Sequence, residues 1–127
     1  MSAFARDDQG RLCAGGMPLG DIAASHGSPL YVYSGDGIRD DYRRFAAAVA
    51  PVDGSVHFAL KANSALGVIG LLARHGAGAD IVSGGEMARA LAAGIPAEKI
   101  VFSGVGKSAE EIGAALDAGI GLSLIHI

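Results

Sequence analysis

The chain has 127 residues, of which half are hydrophobic and 18% are charged, so it can bury the core of one modest domain. A net charge of −3 excludes a basic surface for nucleic acid or for an anionic membrane, and no stretch approaches the roughly 18 apolar residues that span a bilayer. A single cysteine, Cys13, excludes an internal disulfide and is typical of a reducing cytoplasm, and no signal-peptide pattern occurs at the N-terminus. We therefore expect a cytoplasmic α/β protein without nucleic-acid or membrane partners.

The first 35 residues differ in pattern from the rest of the chain. Residues 7–10 (Asp-Asp-Gln-Gly) predict a turn, and Leu19 to Ala24 predict a short helix. Leu30 to Tyr33, bounded by Pro29 and Gly35, predict a compact strand.

From residue 36 onwards, predicted helices and strands alternate. An amphipathic helix is expected over residues 36–50, where Pro51 ends it. Three apolar strands follow, and each precedes a helix. The strands are predicted at 56–60, 79–83 and 100–103, and the helices at 65–75, 84–93 and 109–118.

Polar residues mark the start of each of these three helices. Ser64 is the expected cap of the first helix. Ser83 with Glu86, and Ser108 with Glu111, have the Ser-x-x-Glu spacing of a capping box at the second and third helices.

A strand and a helix recurring every twenty residues or so indicate parallel β/α units. Such units build either an open doubly wound sheet or a closed (β/α)8 barrel of the TIM type, which needs roughly 250 residues. Three units and a possible fourth strand at residues 120–124 would form less than half of a barrel. Residues 122–127 also resemble the translation of a transposon adaptor used in sequencing libraries, so we favour a truncated gene whose last six codons encode a non-native tail.

Lys61 is placed where barrel enzymes carry catalytic groups, at the carboxyl end of the first predicted strand. Strand alternation puts His57, Ala59 and Lys61 on the side opposite to Phe58 and Leu60, so Lys61 points into the barrel mouth if the bulky pair faces the helices. An amine held in a dry site favours its neutral form and can attack an aldehyde. The residues alone leave a strand-end lysine that reaches into solvent as an equal alternative.

Several stretches resemble one enzyme family. Residues 58–63 (Phe-Ala-Leu-Lys-Ala-Asn) resemble the cofactor-lysine motif of the alanine-racemase-like barrel family of pyridoxal-phosphate enzymes. Residues 78–86 and 100–108 resemble the second-strand and third-strand segments of its diaminopimelate decarboxylase branch. Residues 29–34 resemble the strand that these enzymes contribute to a second, β-rich domain. The resemblance runs from about residue 12 to 121, in the family's order and spacing.

The resemblance implies pyridoxal 5'-phosphate as cofactor, Lys61 as the catalytic lysine that carries it, and Asp80 as a second cofactor-binding residue. For Asp80, a structural acid bonded by backbone amides is an equal alternative. The implied activity of the full-length protein, generally a homodimer, is decarboxylation of the amino acid meso-diaminopimelate to L-lysine. Residues 1–35 would then belong to the β-rich domain and residues 36–121 to the first part of the barrel, and this piece alone is expected to be inactive.

Two alternatives stay open. One is another decarboxylase of the family, acting on ornithine, arginine or a polyamine precursor, although ornithine decarboxylases lack the paired glycines found at Gly84 and Gly85. The other is a non-catalytic α/β binding module. That module is disfavoured because residues 61–66 (Lys-Ala-Asn-Ser-Ala-Leu) replace the expected Gly-x-Gly-x-x-Gly, and a racemase is disfavoured by the residues after Lys61.

For four other residues we predict no role in catalysis, and no metal site is predicted. We expect Glu86 to cap a helix, Lys107 to be a solvated loop lysine rather than an anion ligand, and His57 to be a core or lower-barrel residue. Cys13 receives no role.

Overall fold

A computed structural model describes residues 3–124, which divide into two compact units between Arg44 and Phe45. The division lies nine residues after the predicted domain boundary at 35/36, which stays a prediction. In the first unit, three short antiparallel strands precede a helix, and a second helix crosses the division. These elements are β1 (Phe4–Arg6), β2 (Leu12–Ala14), β3 (Met17–Pro18), α1 (Leu19–His26) and α2 (Gly35–Val49).

Asp7 organises the turn between β1 and β2. Its Oδ1 accepts the backbone N–H groups of Arg11 at 2.9 Å and Gln9 at 3.0 Å, and its Oδ2 lies 2.8 Å from Nε of Arg11. The Arg11 backbone N–H and then the other bonds lower the pKa of Asp7, against the opposing effect of desolvation. The predicted turn at residues 7–10 and the predicted first helix are both confirmed.

The strand predicted at Leu30 to Tyr33 is wrong. These residues have no strand assignment, and none of residues 3–124 pairs with them in a ladder. The side chain of Tyr31 is 90% exposed. Since a strand needs a neighbour for its backbone N–H and C=O groups, the apolar and β-branched composition alone does not produce one here.

The second unit contains a four-stranded parallel sheet in which sequence order equals spatial order, β4-β5-β6-β7. The predicted alternation of three strands with three helices is confirmed, with each strand one or two residues shorter than expected. The elements are β4 (His57–Ala59), α3 (Leu66–Arg74), β5 (Gly78–Ile81), α4 (Gly84–Ala92), β6 (Ile100–Phe102), α5 (Ala109–Ala118) and β7 (Leu122–Ser123). One-turn 3-10 helices occupy Ala50–Val52, Leu60–Ala62 and Ala97–Lys99.

The core of this unit lies on one face of the sheet. Alternate strand residues, among them Ile81, Ile100 and Phe102, are fully buried against residues of α3, α4 and α5, and so is Leu60, which directly follows β4. A doubly wound sheet places helices on both faces, whereas a barrel places them all outside. Three consecutive helices on a single face are therefore the arrangement of a partial barrel, as expected from the sequence.

The helix starts agree with the sequence only in part. Ser64 does not cap α3; instead, Oδ1 of Asn63 accepts the N–H of Ala65 at 3.0 Å. At α4, Ser83 Oγ accepts the N–H of Glu86 at 3.2 Å, but the Glu86 carboxylate accepts from Val82 at 2.8 Å rather than from Ser83. The capping box is therefore incomplete at α4, although Glu86 does bond the backbone at the helix start. The box at α5 has both of its bonds.

Gly104, which follows β6, lies against the end of β5. A Cβ atom at this position would lie 2.4 Å from the carbonyl oxygen of Val82 and 2.8 Å from its Cα. Because backbone atoms cannot move aside as a flexible side chain can, any larger residue would separate the two strand ends.

We expect Gly104→Ala to lower the free energy of unfolding by about 1–3 kcal/mol, because the added methyl group overpacks this contact. Gly113→Ala is the matched control, since a Cβ there meets no atom within 4 Å and Gly113 lies inside α5. That variant should gain about 0.5–1 kcal/mol. Urea unfolding of the chain checks both, and equal effects of the two substitutions would refute the close contact.

Candidate active site

Parallel pairing brings the carboxyl ends of β4, β5 and β6 to one edge of the sheet. In this register Ala59 lies beside Asp80, and Asp80 lies beside Val101. The row lies on the face opposite to the helix-covered core, because the neighbouring residues in each strand are core residues. Lys61 lies two residues after Ala59, beyond the end of β4, and Ser103 lies two residues after Val101, beyond the end of β6.

Lys61 lies on the 3-10 turn Leu60–Ala62 instead of on the strand itself. The expectation of a strand-terminal position is corrected, because the strand ends at Ala59 where Leu60 turns into the core. Leu60 is fully buried whereas Lys61 is exposed, so the dry surroundings expected for the Lys61 amine are not found among residues 3–124. Within residues 3–124, the ammonium group of Lys61 makes no hydrogen bond or ion pair.

The other two lysines already have partners. Nζ of Lys99 donates to the carbonyl of Gly76 at 3.3 Å, and Lys99 lies before β6, at the amino edge of the sheet. Nζ of Lys107 donates to the carbonyl of Gly104 at 2.7 Å and to that of Leu124.

Nζ of Lys107 also lies 5.1 Å from the centre of the Phe102 ring, and Lys107 is half-buried, so the prediction of a solvated loop lysine is wrong. Of the three lysines, Lys61 alone combines the carboxyl edge with a free amine.

The loop after Lys61 is held at two points. Asn63 closes a local turn onto Ala65, and Nη1 of Arg89, on α4, donates to the carbonyl oxygen of Ser64 at 3.1 Å. The second bond ties the Lys61 loop to the helix of the next β/α unit. Arg89 was not singled out from the sequence.

Asp80 is half-buried, and its Oδ1 accepts a hydrogen bond of 2.5 Å from the hydroxyl of Ser103. Within residues 3–124, no backbone amide donates to this carboxylate, so the structural alternative considered for Asp80 is not the arrangement found. Its second oxygen, Oδ2, has no partner in the same part of the chain. Asp80 therefore presents a fixed carboxylate with one free oxygen on the face that Ala59 shares.

Glu111 joins two helix starts at this edge. Its Oε1 accepts the N–H of Gly84, the first residue of α4, at 2.8 Å, and its Oε2 accepts the N–H of Ser108 at 3.0 Å. The Gly84 bond and then the Ser108 bonds lower the pKa of Glu111, while desolvation opposes them. The capping box predicted the second contact but not the first, which spans 27 residues.

His57 lies at the other end of β4. Its ring packs over Gly78, where a Cβ atom would lie 2.5 Å from Nδ1, and its Nε2 lies 3.1 Å from Oγ of Ser55. This position at the amino end of the strand agrees with the expected lower-barrel role.

Comparison with known proteins places these features in a family. A model described as "Pyridoxal-dependent decarboxylase, pyridoxal binding domain" matches residues 36–126. The chain belongs to the pyridoxal-dependent decarboxylase family. It is 55% identical to a diaminopimelate decarboxylase of Pseudomonas fluorescens over 111 residues, which are 87% of this chain and 27% of that protein. It is 49% identical to one from Zymomonas mobilis over 118 residues, again spanning 27% of the relative.

Solved structures of decarboxylases match the fold of this chain. The crystal structure of diaminopimelate decarboxylase from M. jannaschii in complex with L-lysine matches 98% of this chain with a TM-score of 0.91 and 35% identity, and the chain covers 30% of it. An arginine decarboxylase of Paramecium bursaria Chlorella virus matches 83% of the chain, with a TM-score of 0.73 and 19% identity, and so supports the fold alone. The parallel sheet is thus part of this family's barrel, and the chain spans less than a third of these relatives. Of the described helices, none has the length and hydropathy needed to cross a membrane.

The residues present fit pyridoxal phosphate. An aldehyde cofactor needs an accessible amine without a competing partner, and Lys61 provides one at the carboxyl edge of the sheet. A carboxylate on the same face, with one oxygen free, suits a group that carries positive charge when bound to an amine.

We expect Glu111→Gln to lower the free energy of unfolding at neutral pH, because the charge-assisted bonds to Gly84 and Ser108 are lost. Since the folded-state pKa lies below the ordinary 4.5, the contribution of Glu111 is complete above about pH 4.5 and is lost as pH falls through the folded-state value. The two proteins should therefore converge in stability at the acid end.

Glu110→Gln is the matched control, because Glu110 is exposed on the same turn and has no bond in the described chain. Urea unfolding at a series of pH values is the measurement. A difference in the free energy of unfolding between wild type and Glu111→Gln that stays constant down to the acid limit would contradict the stabilising role of the ionised Glu111 carboxylate.

Proposed function

We propose that this chain is the cofactor-lysine portion of a diaminopimelate decarboxylase, which releases CO₂ from meso-diaminopimelate to give L-lysine. The observation that carries the proposal is the uncommitted amine of Lys61 at the carboxyl edge of a parallel sheet. The sequence identity of 43–55% to curated diaminopimelate decarboxylases supports the substrate. Because the chain spans about a quarter of these relatives, the activity belongs to the whole protein.

In this proposal Lys61 would hold pyridoxal phosphate through a bond from Nζ to the aldehyde carbon, whose oxygen would leave as water. When bound, the cofactor supplies an electron sink for the pair left by the departing carboxyl group. The 3-10 turn fixes the backbone of Lys61 by burying Leu60, and the bond from Arg89 to Ser64 limits movement of the loop that follows. Asp80 places a carboxylate on the sheet face that it shares with Ala59, two residues before Lys61.

The alternatives have weaker support. The arginine decarboxylase structure and an ornithine decarboxylase structure from Entamoeba histolytica share 19% and 25% identity with this chain, well below the diaminopimelate decarboxylases. The interpretation as a non-catalytic α/β binding module assigns no role to the free amine of Lys61. The cytoplasmic location and the homodimer stay predictions; the single cysteine supports the first.

The cofactor lysine can be identified by chemical trapping. A full-length chimera carries residues 12–121 of this chain in place of the corresponding segment of the Pseudomonas fluorescens relative. After incubation with pyridoxal phosphate, borohydride reduction and digestion, we expect mass spectrometry to find the label on Lys61. Lys61→Ala should lose at least about 90% of the label, whereas Lys99→Arg should retain it, because Lys99 lies at the opposite edge of the sheet. Equal labelling of Lys61→Ala and the unsubstituted chimera would refute the assignment.

The substrate can be tested with the same chimera. We expect CO₂ release from meso-diaminopimelate, but not from ornithine or arginine. Lys61→Ala should lower kcat by about 10²-fold or more, because the covalent link to the cofactor is lost. Preference for ornithine or arginine in the chimera, with the parent relative unchanged, would favour the alternative substrate class.

A further inference from the structure

Ser103 is the only described residue that donates a hydrogen bond to the side chain of Asp80. It lies directly after β6, two residues beyond Val101, the register partner of Asp80. Its backbone is fixed as well, because its N–H donates to the carbonyl of Ile81 at 2.9 Å. The hydroxyl therefore projects from a position that the sheet itself determines.

The single proton of that hydroxyl has two acceptors within reach. Oδ1 of Asp80 lies at 2.5 Å, and the carbonyl oxygen of Ile81 lies at 3.5 Å. The shorter distance and the charge of the carboxylate direct the proton to Asp80. Oδ1 is thereby occupied, and Oδ2 is left as the free acceptor.

Other charged groups near this edge are engaged elsewhere. Glu86 accepts from Val82, Glu111 accepts from Gly84 and Ser108, and Lys107 donates to the carbonyl of Gly104. Within residues 3–124, the orientation of the Asp80 carboxylate therefore depends on Ser103, with no ion pair to replace it.

We propose that Ser103 is a positioning residue, whose hydroxyl holds the Asp80 carboxylate in the one orientation that keeps pyridoxal phosphate at Lys61. The inference rests on the proposed function, since it gives Ser103 a purpose only if Lys61 carries the cofactor. It does not require Ser103 to touch the cofactor.

Threonine and valine form a matched pair at this position, because they have nearly the same shape and only threonine has a hydroxyl. In the full-length chimera, we expect Ser103→Thr to keep the dissociation constant for pyridoxal phosphate and Ser103→Val to raise it by about 2- to 150-fold, the range found for coupled neighbours. Ser103→Ala removes the hydroxyl without adding bulk, so it tests the same loss if the valine variant does not fold. Fluorescence titration of cofactor-free protein measures the constant, and crystal structures of that protein give the Asp80 rotamer.

The decisive comparison repeats the pair in an Asp80→Ala background. If Ser103 acts through Asp80, threonine and valine should then bind the cofactor equally well. A difference that persists without Asp80, or equal affinity of the two variants with Asp80 present, would overturn the proposal. The proposed function fails separately, if the unsubstituted chimera is not labelled on Lys61.

Discussion

The parallel register of β4, β5 and β6 is the constraint on which the site depends. It places Ala59, Asp80 and Val101 in one row, so that Asp80 shares a face with the strand that leads to Lys61. A slip of one residue would move Asp80 to the helix-covered face. Gly78 permits this register, because a Cβ there would lie 2.4 Å from the carbonyl oxygen of Lys99 and 2.5 Å from the His57 ring. The steric requirement for glycine at position 78, at the amino end of the strands, thus helps to set the register that brings Ala59 beside Asp80 at the carboxyl end.

Packing explains why one face stays available for chemistry. The core residues of α3, α4 and α5 all cover the same side of the sheet, and the opposite side carries the smaller and polar residues Ala59, Asp80 and Ser103. Two long-range bonds then connect successive β/α units at the carboxyl edge of the sheet. Arg89 connects α4 to the loop after Lys61, and Glu111 connects the starts of α4 and α5. Order at this edge therefore arises from backbone carbonyls and amides as well as from the apolar core.

Local patterns in the sequence were sufficient for the alternation of strands and helices and for the complete capping box at Ser108. They left the role of Lys61 open, and its assignment, which depends on the family resemblance, stays a prediction. They failed where the outcome depends on distant partners. Leu30 to Tyr33 have strand composition but no neighbouring strand in the described chain, and Ser64 lost its capping role to Asn63. Ser103, whose bond to Asp80 spans 23 residues, has no local pattern of its own. Once the strand register is assumed, however, a serine two residues beyond the partner of Asp80 could have been recognised.

In the proposed site, one nitrogen, Nζ of Lys61, holds the cofactor beside a carboxylate oriented by a serine. A crystal structure of the full-length chimera with pyridoxal phosphate bound would test this most directly. We expect continuous electron density from Nζ of Lys61 to the cofactor, with the Asp80 carboxylate still bonded to the hydroxyl of Ser103 on the same side of the sheet. Density that joins the cofactor to another lysine would contradict it.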